Sequence, residues 1–233
     1  MKSRNIAYSE EYKEYRRKMD YVFDMKYQDK EVRTRIVDDG KHTLITYYYS
    51  DFSHGTLDYN VRASRTEIIN SKQKIVNEIK NIDYSVDFFS DIKHSNGNSY
   101  LFFSIDLYGY SIMDLSNYNV NHYIPVESFN NSQETFIWTD IHYCKHNDLL
   151  AVDGCYWASP YGTEFFNITN PMELPFKKVC DSNDLEGIFS TDDDIIPIRW
   201  NENGTIILRG FIDDEGMNQV EKTIDIKTLK NII

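Results

Sequence analysis

The side chains best equipped for chemistry are crowded into one stretch, from Trp138 to Tyr161. Asp140, His142, Asp153 and Cys155 are the residue types of a small hydrolase, in which a carboxylate or imidazole moves a proton and a thiolate attacks. Residue types alone do not build a triad. Cys155 also follows the apolar run Leu149–Val152, a context in which a free thiol acts as a small hydrophobe. His142, Cys144 and His146 alternate, so on a strand they would share a face, as metal ligands must. Structural metal sites draw paired ligands from two segments, and no second His/Cys cluster lies near in sequence. No metal and no cofactor is therefore expected. The same stretch carries Trp138, Tyr156, Trp157 and Tyr161, and Trp and Tyr are enriched among the anchors of protein interfaces. Glycine-rich phosphate loops, G-x-S-x-G and H-E-x-x-H are all missing, which weakens the common nucleotide and hydrolase assignments.

Charge narrows the partners. The chain of 233 residues has a formal net charge of −12. Residues 181–233 hold twelve acidic and five basic side chains, a net of −7. Such a surface repels phosphates, so nucleic-acid binding is disfavoured, whereas a basic protein partner suits it. Three cysteines make no disulfide scaffold in a chain this long, and an odd count favours reduced thiols. The N-terminal residues lack the apolar core of a secretory signal, and no window approaches the length of an apolar membrane span. The expectation is a cytoplasmic protein without a membrane segment.

The elements that position these residues read as strands. An aromatic share of 15%, mostly Tyr and Phe, favours sheets. One helix is predicted within residues 1–20, where Tyr8, Tyr12, Tyr15 and Met19 recur on one face with Ser9 as N-cap. Residues 21–233 then read as one all-β domain of four strand-rich units, at about 31–80, 84–130, 134–180 and 190–233. Each unit runs strand, polar turn, strong strand, second turn, third strand and a weaker fourth strand. Leu44, Leu101, Leu149 and Ile206 mark the strong strands, at spacings of 57, 48 and 57. Gly55, Gly109, Gly162 and Gly216 end the second turns. Four-stranded units at periods of about 40–50 residues predict a β-propeller-like array, with a β-sandwich as the alternative. "MDYVFDMKY", residues 19–27, is placed as a strand that closes the ring against the last unit. "EIINSKQKIVNEIKNI", residues 67–82, reads equally as a strand pair or a short helix.

The motifs Trp138-x-Asp140, "NDLLAV", "GCYWA" and Pro160-Tyr161 carry a resemblance over residues 134–176. This segment resembles uncharacterised bacterial proteins thought to carry WD40-like propeller repeats, a likeness that implies fold and no activity. The chain lacks the Gly-His start and Trp-Asp end of true WD40 units. Together these features predict a protein-binding module or inhibitor with an acidic, aromatic-bearing surface. The alternative is a hydrolase using Asp140, His142, Asp153 or Cys155.

Overall fold

The computed structural model describes residues 4–52, 61–83, 88–129, 133–156, 160–190, 193–212 and 218–226. Over these residues the chain forms four antiparallel sheets in sequence order, preceded by one helix. The first sheet is β1 (Gln28–Val37), β2 (His42–Asp51), β3 (Val61–Asn70) and β4 (Ile75–Ile82). The second is β5 (Phe89–Lys93), β6 (Ser99–Ile105), β7 (Gly109–Asp114) and β8 (Val120–Tyr123). The third is β9 (Ile137–Cys144), β10 (Leu149–Cys155), β11 (Gly162–Asn167) and β12 (Lys177–Asp181). The fourth is β13 (Ile196–Trp200), β14 (Ile206–Phe211) and β15 (Gln219–Ile224). Each sheet is a meander whose strands pair with their sequence neighbours. No helix among the described residues is long and apolar enough to cross a membrane.

Strand alternation explains how the sheets stack. Leu101 and Phe103 of β6 pack against Leu44 and Ile68 of the first sheet. Phe102 on the other face packs with Leu150, Val152 and Trp138 of the third sheet. Leu149 and Ala151 of β10 then point the opposite way, into a core with Ile206 and Leu208 of the fourth sheet. With a period of 2, a strand with a continuous apolar run such as Tyr100–Phe103 must be covered on both faces. That is why β6 is buried throughout its length. The repeat landmarks Leu44, Leu101, Leu149 and Ile206 all fall on the second strand of a sheet. None of the five apolar clusters among the described residues joins the fourth sheet to the first.

Turns follow side-chain chemistry. Asp38, Asp106 and Asp148 adopt φ of 51°, 52° and 51°, the left-handed conformation that Asp tolerates better than most residues. Helix α1 (Glu10–Met19) starts where expected, with Ser9 Oγ accepting from the Tyr12 N–H at 3.2 Å. It is fastened to the β6–β7 turn. Arg16 bonds Asp106 at 2.6 Å and the Tyr12 hydroxyl donates to the same carboxylate at 2.7 Å. The short helix α2 (Val126–Phe129) brings Phe129 edge-on to Tyr15, with ring centres 5.5 Å apart.

Two expectations are corrected and one open alternative is decided. Residues 20–23 and 25–27 form 3-10 turns and no closing strand. Val22 is buried against Tyr49, Ala63 and Ile82 of the first sheet, and that burial outweighs the strand-like composition. The last unit, expected to end on a weaker fourth strand, ends its sheet on β15, which pairs directly with β14 as the third strand among the described residues. The helical alternative for residues 67–82 gives way to a β3–β4 hairpin, whose turn is held by Asn70 Oδ1 accepting from the Lys72 and Lys74 N–H groups. Gly109 and Gly162 open third strands as expected, while Gly55 and Gly216 lie outside the described residues.

Candidate acidic, tyrosine-bearing site

A β-bulge builds the site. Across the β9–β10 pair, Trp138 lies opposite Gly154 but Asp140 lies opposite Asp153, which leaves Thr139 as the extra residue. One inserted residue switches every later side chain to the other face. Trp138 therefore points into the core toward the second sheet, while Asp140, His142 and Cys144 point to the fourth-sheet side. The bulge is fixed by Thr139 Oγ1 donating to the Asp153 carbonyl at 2.9 Å. It also needs Gly154, because a Cβ there would collide with the Ile137 carbonyl oxygen.

The bulge brings two carboxylates face to face. Asp140 and Asp153 are direct cross-strand partners, and like charges in that position repel. Burial, then the negative charge of Asp140, pushes the Asp153 carboxyl up to about 6, and Asp194 adds to the effect. One Asp153 oxygen is buried with no hydrogen-bond partner among the described residues. Neither Asp140, Asp153 nor Asp194 makes an ion pair among the described residues. Asp194 lies just before β13, and its Oδ1 accepts from the Tyr161 N–H at 2.6 Å. His142 shares the face of Asp140, and burial holds its ring below the usual imidazole range.

The other expected site residues separate into surface and core. Tyr156 is 49% exposed, and its hydroxyl donates to Glu164 at 3.1 Å. Lys178 bonds the same carboxylate at 3.2 Å. Tyr161 stands beside Asp194, and burial and then the neighbouring Cys155, Asp153 and Asp194 raise its hydroxyl. Cys155 itself is buried. Trp138 is 5% exposed and stacks on Tyr110 at 3.9 Å, so it contributes packing and no contact surface. Trp157 lies outside the described residues. The alternation His142, Cys144, His146 breaks where β9 ends at Cys144. No group of three His, Cys, Asp or Glu among the described residues is arranged to hold a metal ion.

Tyr108, in the β6–β7 turn, is within electrostatic reach of Cys155. Burial raises its hydroxyl first, followed by the negative charges of Glu134 and Asp83 and by Cys155. Nothing in the stretch 138–161 points to it. The matched second turns do: Tyr108 precedes Gly109 in "DLYG" as Tyr161 precedes Gly162 in the enlarged "CYWASPYG". Nothing local in the sequence shows that the segment of Asp194 lies beside β10.

The arrangement can do two things. A carboxylate group with no ion pair among the described residues and tyrosines on its rim attracts a cation and offers rigid contact area. A carboxyl titrating near neutrality can also give or take a proton. Neither the protein-family models nor the curated proteins compared with this chain give a match.

Proposed function

We propose that this chain is a protein-binding module that receives a basic partner on its acidic, tyrosine-bearing end. The carrying observation is the cross-strand pair Asp140–Asp153 with Asp194 beside it, held together without a cation among the described residues. A protein that keeps such a pair gives up stability in its free state. A partner's Lys or Arg set against it removes that cost and adds charge-assisted hydrogen bonds. Tyr156 and Tyr161 supply amphipathic rings at the same end. An inhibitor that covers a basic active surface is the specific form of this role.

The scaffold is a four-unit, propeller-like array. Support comes from four meanders in chain order, with first strands side by side, β5 near β9 and β9 near β13. The WD40-like resemblance of residues 134–176 adds to it. An arginine-rich peptide titrated into the full chain tests the binding role by calorimetry. Binding that weakens as salt rises, and that is weakened by Asp140→Asn/Asp153→Asn, is expected. Equal binding of a glutamate-rich peptide of the same length would count against it.

One observation favours a second role. The Asp153 carboxyl, at about 6 beside Asp140, has the poise of a general acid in a carboxylate pair. Turnover of chromogenic glycosides or esters, lost in Asp153→Asn, would establish that role. Absence of turnover across both classes would remove it.

A further inference from the structure

A cavity of about 570 Å³ lies between α1, β4 and β8. On its wall stands a histidine whose tautomer the fold fixes. Ser111 of β7 and His122 of β8 are direct cross-strand partners, and Ser111 Oγ lies 2.7 Å from His122 Nδ1. Ser111 is 0% exposed, and Nδ1 is the one partner of its hydroxyl among the described residues. A buried hydroxyl left without an acceptor costs free energy, so Ser111 donates to Nδ1. The neutral ring then carries its proton on Nε2. Burial, followed by the Arg16 guanidinium, holds this imidazole down at about 4 and so keeps it neutral. Nε2 makes no hydrogen bond among the described residues, yet it is not one of the buried unpaired atoms. Its N–H therefore faces the open space that His122 lines.

Three further observations define what fits. First, the charged side chains on the walls are matched: Arg16 with Asp106, Lys80 with Asp20 and Glu78 with Arg65. A charged ligand would have to break one of these pairs to find its counter-charge. Second, the rim carries neutral polar groups. The Tyr8 hydroxyl accepts from the His122 backbone N–H at 2.9 Å, and its own O–H has no acceptor among the described residues. Tyr8 is 54% exposed and its ring leans on His122, centres 6.2 Å apart, which presents an apolar face with a polar tip. Asn119, also exposed, makes no side-chain hydrogen bond among the described residues, so its amide offers donors and an acceptor. Third, the free edge of β4 is already occupied. The Glu78 N–H goes to Asn77 Oδ1 at 2.8 Å, the Lys80 carbonyl to Arg16 at 2.6 Å and the Ile82 N–H to Asp106 at 3.1 Å. An extended peptide adding a strand here would find those groups taken.

We propose that this cavity is a binding site for a neutral saccharide. Sugar hydroxyls donate and accept at once, which matches the His122 Nε2–H, the Tyr8 hydroxyl and the Asn119 amide. The C–H faces between those hydroxyls match the Tyr8 ring. The volume lies in the range of small-ligand sites, roughly 300–1,000 Å³. Ser111 is a positioning residue: it touches no ligand and acts by holding the Nε2–H tautomer in place. The site is independent of the pair Asp140–Asp153, so either reading can fail alone.

Imidazole-nitrogen NMR of the full chain should show His122 as the Nε2–H tautomer, and an Nδ1–H tautomer would overturn the proposal. Maltose, cellobiose, lactose and diacetylchitobiose, titrated at millimolar concentrations, supply the binding test. At least one should move the His122 Nε2 and Tyr8 ring resonances together. Tyr8→Ala and Asn119→Ala, both at exposed positions, should each weaken that binding about 2–10-fold, the worth of one hydrogen bond. Thermal melts confirm that both variants fold. The aldonate of the sugar that binds, oxidised to a carboxylate at its reducing end, should bind about tenfold more weakly. No shift with any of these sugars, binding unchanged in both folded variants, or an aldonate that binds as tightly as its parent would overturn the proposal. The arginine-rich peptide should bind both variants as it binds the parent, so a saccharide result of either sign leaves the protein-binding role where it stands.

Discussion

Asp153→Asn should make this protein more stable, and only above a defined pH. In the folded chain the Asp153 carboxyl is pushed up to about 6 by burial and by Asp140. In an unfolded chain an aspartate titrates near ~3.9. That difference corresponds to about 3 kcal/mol for a fully buried group. Asp153 is only partly buried, so solvent screening reduces it to about 1–2 kcal/mol. The folded state binds the proton more tightly, so lowering the pH from about 6 toward about 4 stabilises the fold, and raising it through about 6 removes that gain. The amide introduced by Asp153→Asn carries no charge and lacks this dependence. At pH 7.5 the variant should melt about 2–8 °C above the parent. The gap should close as the pH falls to about 4, because Asp153 is then protonated in the folded parent. Thermal melts of both proteins across this range are the assay. A variant equal to or less stable than the parent at pH 7.5, or a gap that does not narrow in acid, would refute the repulsion between Asp140 and Asp153.

Other perturbations probe the supports of the site. Gly154→Ala places a Cβ against the Ile137 carbonyl oxygen at the bulge, so a loss of about 2–4 kcal/mol in denaturant unfolding is expected. Asp106→Ala removes the shared partner of Arg16 and Tyr12 and leaves the Arg16 guanidinium part-buried without its carboxylate, which costs about 2–3 kcal/mol. Faster amide exchange in α1 should accompany that loss. Trp138→Ala empties the core between the second and third sheets and should cost about 3–5 kcal/mol in the same unfolding measurement. Burial holds the His122 imidazole down at about 4, so NMR titration should find it neutral at pH 6, whereas a midpoint at or above 6 would contradict its packing beside Ser111 and Tyr8.

How much of this was legible in the sequence depends on the range of the interaction. The four units were visible because each repeats a local pattern: an Asp- or Asn-rich turn followed by an apolar-rich strand, buried on both faces in β6 and nearly so in β10 and alternately buried in β14 and the first half of β2. α1 was visible because its cap and its tyrosine spacing are local. "MDYVFDMKY" misled because its residue types suit a strand, while its fate was decided by a tertiary contact, Val22 on the first sheet. Trp138 misled for a related reason. Its type suits an interface, but the Thr139 bulge turns it inward, and no motif announces a bulge. Asp140 and Asp153 were visible as acids within one hairpin. That they oppose each other depends on a one-residue register, and that Asp194 lies beside them depends on contacts between sheets. Part of the enlarged β10–β11 loop, residues 157–159, lies outside the described residues, and Tyr156 and Tyr161 frame it.

Carboxyl-carbon NMR of Asp153, with and without a saturating arginine-rich peptide, tests the central claim most directly. A cation docked on the acidic end must lower the affinity of this carboxyl for its proton. The free protein should show a midpoint of about 6, and the bound protein a midpoint below about 5, with proton release detectable at pH 6. A midpoint that stays at about 6 in the bound protein would place the peptide elsewhere and contradict the proposed role of this end of the molecule.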